Sequence, residues 1–217
     1  MTYIAAHACG LALLLVVFYS TGLLLVGRIR ALDGVGQRTG LLPISIGIAV
    51  WAYLLMALAV VQLYQRPVLV VAASLLSIAG LAVTWHGARV RLKPDATTPG
   101  ILTRVLAWVP LAIVLMQLFV RALGPSLGWD DMTAHLTLPK IYLEHGGFRR
   151  VPFNVYSNWP LNVPLLYGFA LAIQDYVLAK LVHLMFLGLL TVAVYRFAAR
   201  AGAPWAGVVA ASLLLAN

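Results

Sequence analysis

A short run, Trp129-Asp130-Asp131-Met132-Thr133-Ala134-His135, sets two carboxylates and an imidazole inside an otherwise apolar chain. The 217 residues hold only six Asp and Glu. Four of them, Asp130, Asp131, Glu144 and Asp175, fall in one stretch, while Asp33 and Asp95 sit in short basic linkers. Two neighbouring carboxylates repel, and the second makes the first a better base. Such a pair suits proton abstraction from a hydroxyl. Asp131 and His135 stand at i and i+4 on one helical face, which is also a spacing for two metal ligands. No clear third ligand accompanies them. A surface pair is the simpler reading, and neither a metal nor another cofactor is expected. Asp130 also precedes a helix-like stretch, where Asp is a favoured N-cap.

The elements that must position these groups can be read from spacing. Met132, Leu136, Pro139 and Leu143 fall at i, i+4, i+7 and i+11, which predicts an amphipathic helix over 131–145 with Asp131, His135 and Glu144 off its apolar stripe. Pro139 removes a backbone donor, so a bend is expected near the middle. Gly146-Gly147 should end the helix. Such a helix lies along a membrane surface rather than crossing it. A second short helix is expected from Leu161 to Ala172. The first helix lies within the long loop 124–160, and the second comes directly after that loop. Loops of this length are commonly functional. Trp129, Tyr142, Phe148, Phe153, Tyr156 and Trp159 argue against disorder here and suit interfacial anchoring.

The surrounding chain is 63% hydrophobic and 10% charged, with a mean hydropathy of +0.96. An ordinary soluble domain carries about 25% charged residues. Apolar runs at 4–27, 41–64, 67–86, 101–123, 176–198 and 203–217 are near the length that crosses a bilayer as a helix. Helices satisfy every backbone group in lipid, and no alternating strands of a membrane barrel are present. The expected fold is therefore all-α: a polytopic transmembrane bundle of about six spans, with one long outer loop bearing interfacial helices.

The net charge of +9 does not call for a nucleic-acid partner, because its distribution is that of a topology signal. Arg28, Arg30 and Arg38 come after run one. Arg89, Arg91, Lys93 and Arg104 lie around the start of run four. Arg196 and Arg200 end run five. These are alternate loops, as the positive-inside rule requires, with added attraction to anionic membrane lipids. The N-terminus and the segment 124–160 are accordingly expected outside. The first run is not a cleaved signal by composition, since no Lys or Arg precedes Arg28. Cys9 is the single cysteine, so no disulfide framework exists.

Residues 1–100 read as an N-terminal three-helix unit, and 101–217 as the unit that carries the loop. The linker from Lys93 to Gly100, with its prolines, divides them. Gly10, Gly22, Gly47 and Gly80 suit close helix contact. Nothing else in 1–100 points to chemistry, and His7 and Gln62 are its few intramembrane polar groups beyond Ser and Thr. The ending Leu213-Leu214-Leu215-Ala216-Asn217, inside an apolar run, is expected of a fragment of a longer membrane protein.

Three stretches together resemble one family: Trp129-Asp130-Asp131-Met132-Thr133-Ala134-His135-Leu136 with Leu138-Pro139-Lys140-Ile141-Tyr142-Leu143-Glu144-His145-Gly146; then Tyr156-Ser157-Asn158-Trp159-Pro160-Leu161-Asn162; then Leu165-Leu166-Tyr167-Gly168 through Ala179-Lys180-Leu181-Val182-His183. Over about 104–217 they resemble the first extracytoplasmic loop of GT-C membrane glycosyltransferases, in the bacterial protein-mannosyltransferase-like branch (glycosyltransferase family 39-like, including aminoarabinose-transferase-like enzymes). The resemblance implies a sugar donor on a polyprenyl phosphate and an extracytoplasmic acceptor (lipid, polysaccharide or protein). Asp130 takes the position of the catalytic base, Asp131 that of its neighbour, and His135 that of the motif histidine. Ala134 stands where the pattern often has Tyr, and the three N-terminal spans precede the point where many members begin. A lipid-phosphate leaving group calls for cations, for which Arg149, Arg150 and Lys140 are the candidates. Lipid-headgroup anchoring is the structural alternative for the two arginines. The implied location is a bacterial inner membrane.

Two other classes compete. A transporter or flippase-like protein needs ionisable groups near the bilayer midplane on several spans, and spans one to four lack central charges. A non-catalytic membrane scaffold would use the loop only to fold against a partner.

Overall fold

The computed structural model describes residues 2–26, 41–85, 101–126, 128–159 and 161–216, with side chains given for all of these but 84–85, 101–107 and 216. Arg28, Arg30, Asp33, Arg38, Arg89, Arg91, Lys93 and Asp95 lie outside the described residues, as does the linker 93–100. The Arg104 side chain does too.

Every regular element among the described residues is helical: α1 (Thr2–Val26), α2 (Leu41–Val60), α3 (Arg66–Trp85), α4 (Ile101–Leu123), a π-helical turn (Asp131–His135), α5 (Thr137–His145), a 3-10 turn (Val155–Asn158), α6 (Asn162–Ile173), α7 (Tyr176–Arg200) and α8 (Pro204–Ala216). Four stretches, Thr2–Val26, Leu41–Val60, Arg66–Val83 and Tyr176–Arg200, are long and apolar enough to cross a membrane. At 1.5 Å per residue, twenty residues reach about 30 Å, the thickness of the hydrocarbon core. The apolar helices Trp108–Leu123 and Pro204–Leu215 are shorter. Four of the six expected spans thus meet the length requirement among the described residues.

The chain divides into two compact units. One comprises the described residues within 1–92 and 125–182, the other those within 93–124 and 183–217.

In the first unit α1, α2 and α3 pack backbone against backbone, and glycine makes this possible. A Cβ on Gly22 would collide with the Pro43 carbonyl, one on Gly47 with the Phe18 carbonyl, and one on Gly80 with the Ser20 carbonyl. Small residues let helices approach this closely where lipid offers no hydrophobic drive between them. Next to these contacts, the Trp51 indole N–H donates to Thr21 Oγ1 at 3.0 Å, and its ring stacks on Phe169 of α6 with centroids 4.6 Å apart. Trp51, Phe18, Leu14, Leu55 and Phe169 are fully buried there.

The turn between α2 and α3 holds the loop. Gln62 takes a left-handed conformation (φ 60°) that ends α2. Its side-chain amide donates to the Phe148 carbonyl at 3.0 Å, the Phe148 N–H donates to Ala59 O at 3.0 Å, and the Tyr64 N–H donates to Gly146 O at 2.7 Å. Gly146, at φ 82°, ends α5. Gly147 packs where a Cβ would meet the Ala59 carbonyl. Both glycines of the expected helix stop are therefore needed for separate reasons, left-handed geometry and close approach.

In the second unit Leu111 of α4 packs with Val208, Ala211 and Leu215 of α8, and Val114, Leu115 and Leu118 add to this core. Trp108 meets Tyr195 of α7 with centroids 5.4 Å apart.

Candidate functional site

The 131–145 segment is helical but not one helix. The Leu136 N–H donates to Asp131 O at 3.0 Å, five residues back, and the Thr137 hydroxyl donates to Met132 O, also five back. A regular α-helix then runs from Thr137. The cause lies in Pro139. It has no N–H to give the His135 carbonyl, and its ring crowds that same carbonyl. A widened turn relieves the crowding, and such π turns are frequent at functional sites. The break therefore falls before Pro139, at the head of α5, rather than in the middle of one long helix.

The widened turn also changes the buried face. Ala134, Leu138, Pro139 and Tyr142 are buried, whereas Met132 is 56% exposed and Leu136 and Leu143 are half-buried. The expected stripe Met132-Leu136-Pro139-Leu143 is thus corrected to one centred on Ala134, Leu138 and Tyr142. These pack on α6, where Gly168 leaves room for the Pro139 ring and the Tyr64 hydroxyl. The Asn154 side-chain amide donates to Thr133 O and ties the 3-10 turn to the π turn.

Asp130 stands at the head of the π turn with helical dihedrals (φ −64°, ψ −37°), exposed, and makes no side-chain capping bond. This removes the N-cap reading. Asp131 is half-buried and turns inward. Its charge acts on the Tyr167 phenol of α6 and on the Lys180 ammonium of α7. His135 is exposed, with its ring edge-on to Tyr167 at 6.3 Å between centroids. Burial, and then the Asp131 charge, push the Tyr167 phenol up to about 12.

The other predicted residues stand apart from this cluster. Lys140 faces outward and comes within 4.0 Å of Glu144 on its own helix, both side chains being largely exposed. Arg149 and Arg150 are exposed. Among the described residues no group of three or more His, Cys, Asp or Glu is placed to hold a metal ion.

The structure adds residues that spacing did not select. Asp175, in the turn before α7, accepts the backbone N–H groups of Val177 at 2.9 Å and Leu178 at 3.2 Å. It is the true N-cap of this region. His7 of α1, only 3% exposed, donates from Nε2 to the Asp175 carboxylate at 2.9 and 3.1 Å. Burial pushes the Asp175 carboxyl up, but hydrogen bonds from His7 and the α7 amides outweigh it and hold the group below the usual carboxylate range. The Lys180 ammonium lies in the field of both Asp131 and Asp175, with its Nζ 5.3 Å from the centre of the Tyr176 ring. Asp131, Tyr167, Asp175, Lys180 and His7 thus gather at one end of the first unit. A lone ionisable residue near the start of an apolar helix was the one signal for His7. An Asp just before a long helix was the signal for Asp175.

No protein-family model, no curated protein and no solved structure matches this chain.

Proposed function

We propose that this chain belongs to a polytopic membrane glycosyltransferase of GT-C type, in a bacterial inner membrane, with 124–160 on the extracytoplasmic side. It transfers a sugar from a polyprenyl-phosphate carrier to an extracytoplasmic acceptor. Asp130 takes the proton of the acceptor hydroxyl as that oxygen bonds to C1 of the sugar. The C1–O bond to phosphate breaks, and polyprenyl phosphate leaves with the electron pair. Exposed Asp130 is open to an acceptor from the aqueous side, while Asp131 is directed inward to Tyr167 and Lys180. Lys180 is the cation of the cluster for the leaving phosphate, and exposed Arg149 and Arg150, which stand apart from it, are weaker candidates. Lys140, turned outward beside Glu144, is the weakest of the expected phosphate ligands.

The observation that carries this reading is the adjacent carboxylate pair on a widened turn, one member exposed and the other half-buried. The exposed one is open to a hydroxyl acceptor, and its neighbour makes it the better base. Asp130→Asn, assayed in the full-length protein with a lipid-linked sugar donor, is expected to lower transfer about 10²–10⁴-fold, the usual contribution of a positioned base. Full activity would remove Asp130 from the role.

The transporter reading gains little. His7 and Asp175 form an ion pair with one buried member, and it lies near the starts of α1 and α7 rather than mid-span.

A further inference from the structure

The arch that follows Arg150 is folded inside out. Val151 and Leu161 are both buried, at 5% exposure. Between them, among the described residues, Phe153 is 86% exposed, Val155 66% and Trp159 61%. Local bonds hold the arch, so this exposure is not that of a loose coil. The Asn154 N–H donates to Val151 O at 3.0 Å, the Ser157 N–H to Asn154 O at 3.1 Å and the Trp159 N–H to Tyr156 O at 3.1 Å. The polar side chains turn back to the chain itself. The Asn154 amide oxygen accepts the Tyr156 N–H at 3.0 Å, its nitrogen donates to Thr133 O, and the Ser157 hydroxyl donates to Asn154 O at 2.8 Å. A turn made for water does the opposite, offering its polar groups to solvent. Large apolar side chains exposed together mark a surface that meets a partner or a membrane.

The neighbours of the arch decide which it meets. Arg149 and Arg150, both exposed, stand directly before it, and no Asp or Glu occurs from residue 145 to 174. Phe148 is bonded through its N–H to Ala59 O and through its carbonyl to the Gln62 amide, at the end of α2, a helix long enough to cross a bilayer. The arch therefore begins where such a helix ends, beside two cations and away from carboxylates. Aromatic side chains favour the membrane–water interface, and arginine pairs with phosphate oxygens. We propose that the arch 151–159 docks into the headgroup region of an anionic phospholipid bilayer. Phe153, Val155 and Trp159 enter below the phosphates, and Arg149 and Arg150 bind them. This separates the loop aromatics by role: Tyr142 packs edge-on to Phe148 with centroids 5.2 Å apart and holds the fold, whereas Phe153 and Trp159 hold the loop to lipid. The inference goes beyond the glycosyltransferase reading and requires no sugar donor.

The docking is read by quenching of a bimane label on Phe153→Cys, in the full chain with Cys9→Ser, reconstituted in phosphatidylcholine vesicles. The vesicles carry a small share of lipid with a nitroxide near the head of its acyl chain, on either a phosphatidylglycerol or a phosphatidylcholine headgroup. Iodide, equal on both sides of the membrane, is the aqueous quencher. The nitroxide lipids are expected to quench and iodide to have little effect. The phosphatidylglycerol form should quench about fivefold more strongly than the phosphatidylcholine form, as follows from roughly 1 kcal/mol for one cation near an anionic surface. Arg149→Gln with Arg150→Gln should level the two lipids while the phosphatidylcholine form still quenches. Quenching by iodide alone places the arch in water and overturns the proposal. Quenching by neither means that a protein surface covers the arch, and also overturns it. Equal quenching by the two lipids with both arginines present overturns the anionic headgroup. Val155→Cys gives the same reading if the label at 153 distorts the arch. Full transfer activity in Asp130→Asn would defeat the glycosyltransferase reading and leave the quenching pattern standing.

Discussion

Tyr64 and Tyr167 show how single side chains hold the loop to the helices beneath it. Tyr64 is fully buried, and its hydroxyl donates to the Leu165 carbonyl at 2.7 Å. Burial raises its phenol far above the ordinary tyrosine range. Tyr64→Phe keeps the ring and removes this second hydrogen bond to a helix carbonyl, which costs about 0.5–1.5 kcal/mol. A matching loss in unfolding free energy is expected in detergent, and no loss would mean that the Tyr64 hydroxyl contributes nothing to holding α6. Tyr167 offers a pH test. Its folded-state value of about 12 lies above the ordinary 10.0. A raised value stabilises fully below the unfolded value and is lost as pH rises through the folded one. The contribution of Tyr167 is therefore complete below pH 10 and declines between 10 and 12. The tyrosinate absorbance difference between wild type and Tyr167→Phe should show one late step. Asp131→Asn should bring that step to lower pH, because the Asp131 charge is one of its causes.

Helices meet in this chain through two different devices, small residues and a proline. Gly22, Gly47 and Gly80 bring α1, α2 and α3 into backbone contact, and any Cβ there must push a carbonyl away. Gly47→Ala is expected to destabilise by at least about 1–3 kcal/mol, as overpacking does, and Gly188→Ala serves as the control because nothing lies within 4 Å of a Cβ there. Equal melting temperatures for the two variants would refute the backbone contact. Pro139 works at the level of the loop. By denying His135 its usual partner it widens the turn, exposes Asp130 and Met132, and directs Asp131 toward α6 and α7. A regular helix through 131–145 would have buried a different stripe and placed Asp131 and His135 one above the other.

Within the first unit one end collects the start of α1, the turn between α2 and α3, the loop 128–159 and the start of α7. The contacts His7–Asp175, Tyr64–Gly146 and Gln62–Phe148 require it. If α1, α2 and α3 each cross the bilayer, this end faces one aqueous side. Gln65→Cys and Ser157→Cys, in a Cys9→Ser background, are then expected to react with a membrane-impermeant maleimide from the same side of intact cells, the outer side by the charge pattern of the linkers. Labelling from opposite sides would refute the shared end.

Much of this arrangement is legible in the sequence. Apolar length alone locates α1, α2, α3 and α7, because a helix that crosses lipid must be long and uninterrupted by charge. Gly146-Gly147 marks the end of α5, and the apolar run after Leu161 marks α6. The composition also singles out 129–135, since carboxylates are too few elsewhere to hide it. Periodicity fails where the backbone leaves the 3.6-residue repeat: at Asp131–His135 the proline-driven π turn shifts the buried face to Ala134, Leu138 and Tyr142, a shift that a regular helical template does not contain. Nor could spacing pair His7 with Asp175 or bring Asp131 to Lys180. Those partners are separated by most of the chain or by an entire helix, and only the packing of α1 and α6 against the start of α7 decides that their charges meet.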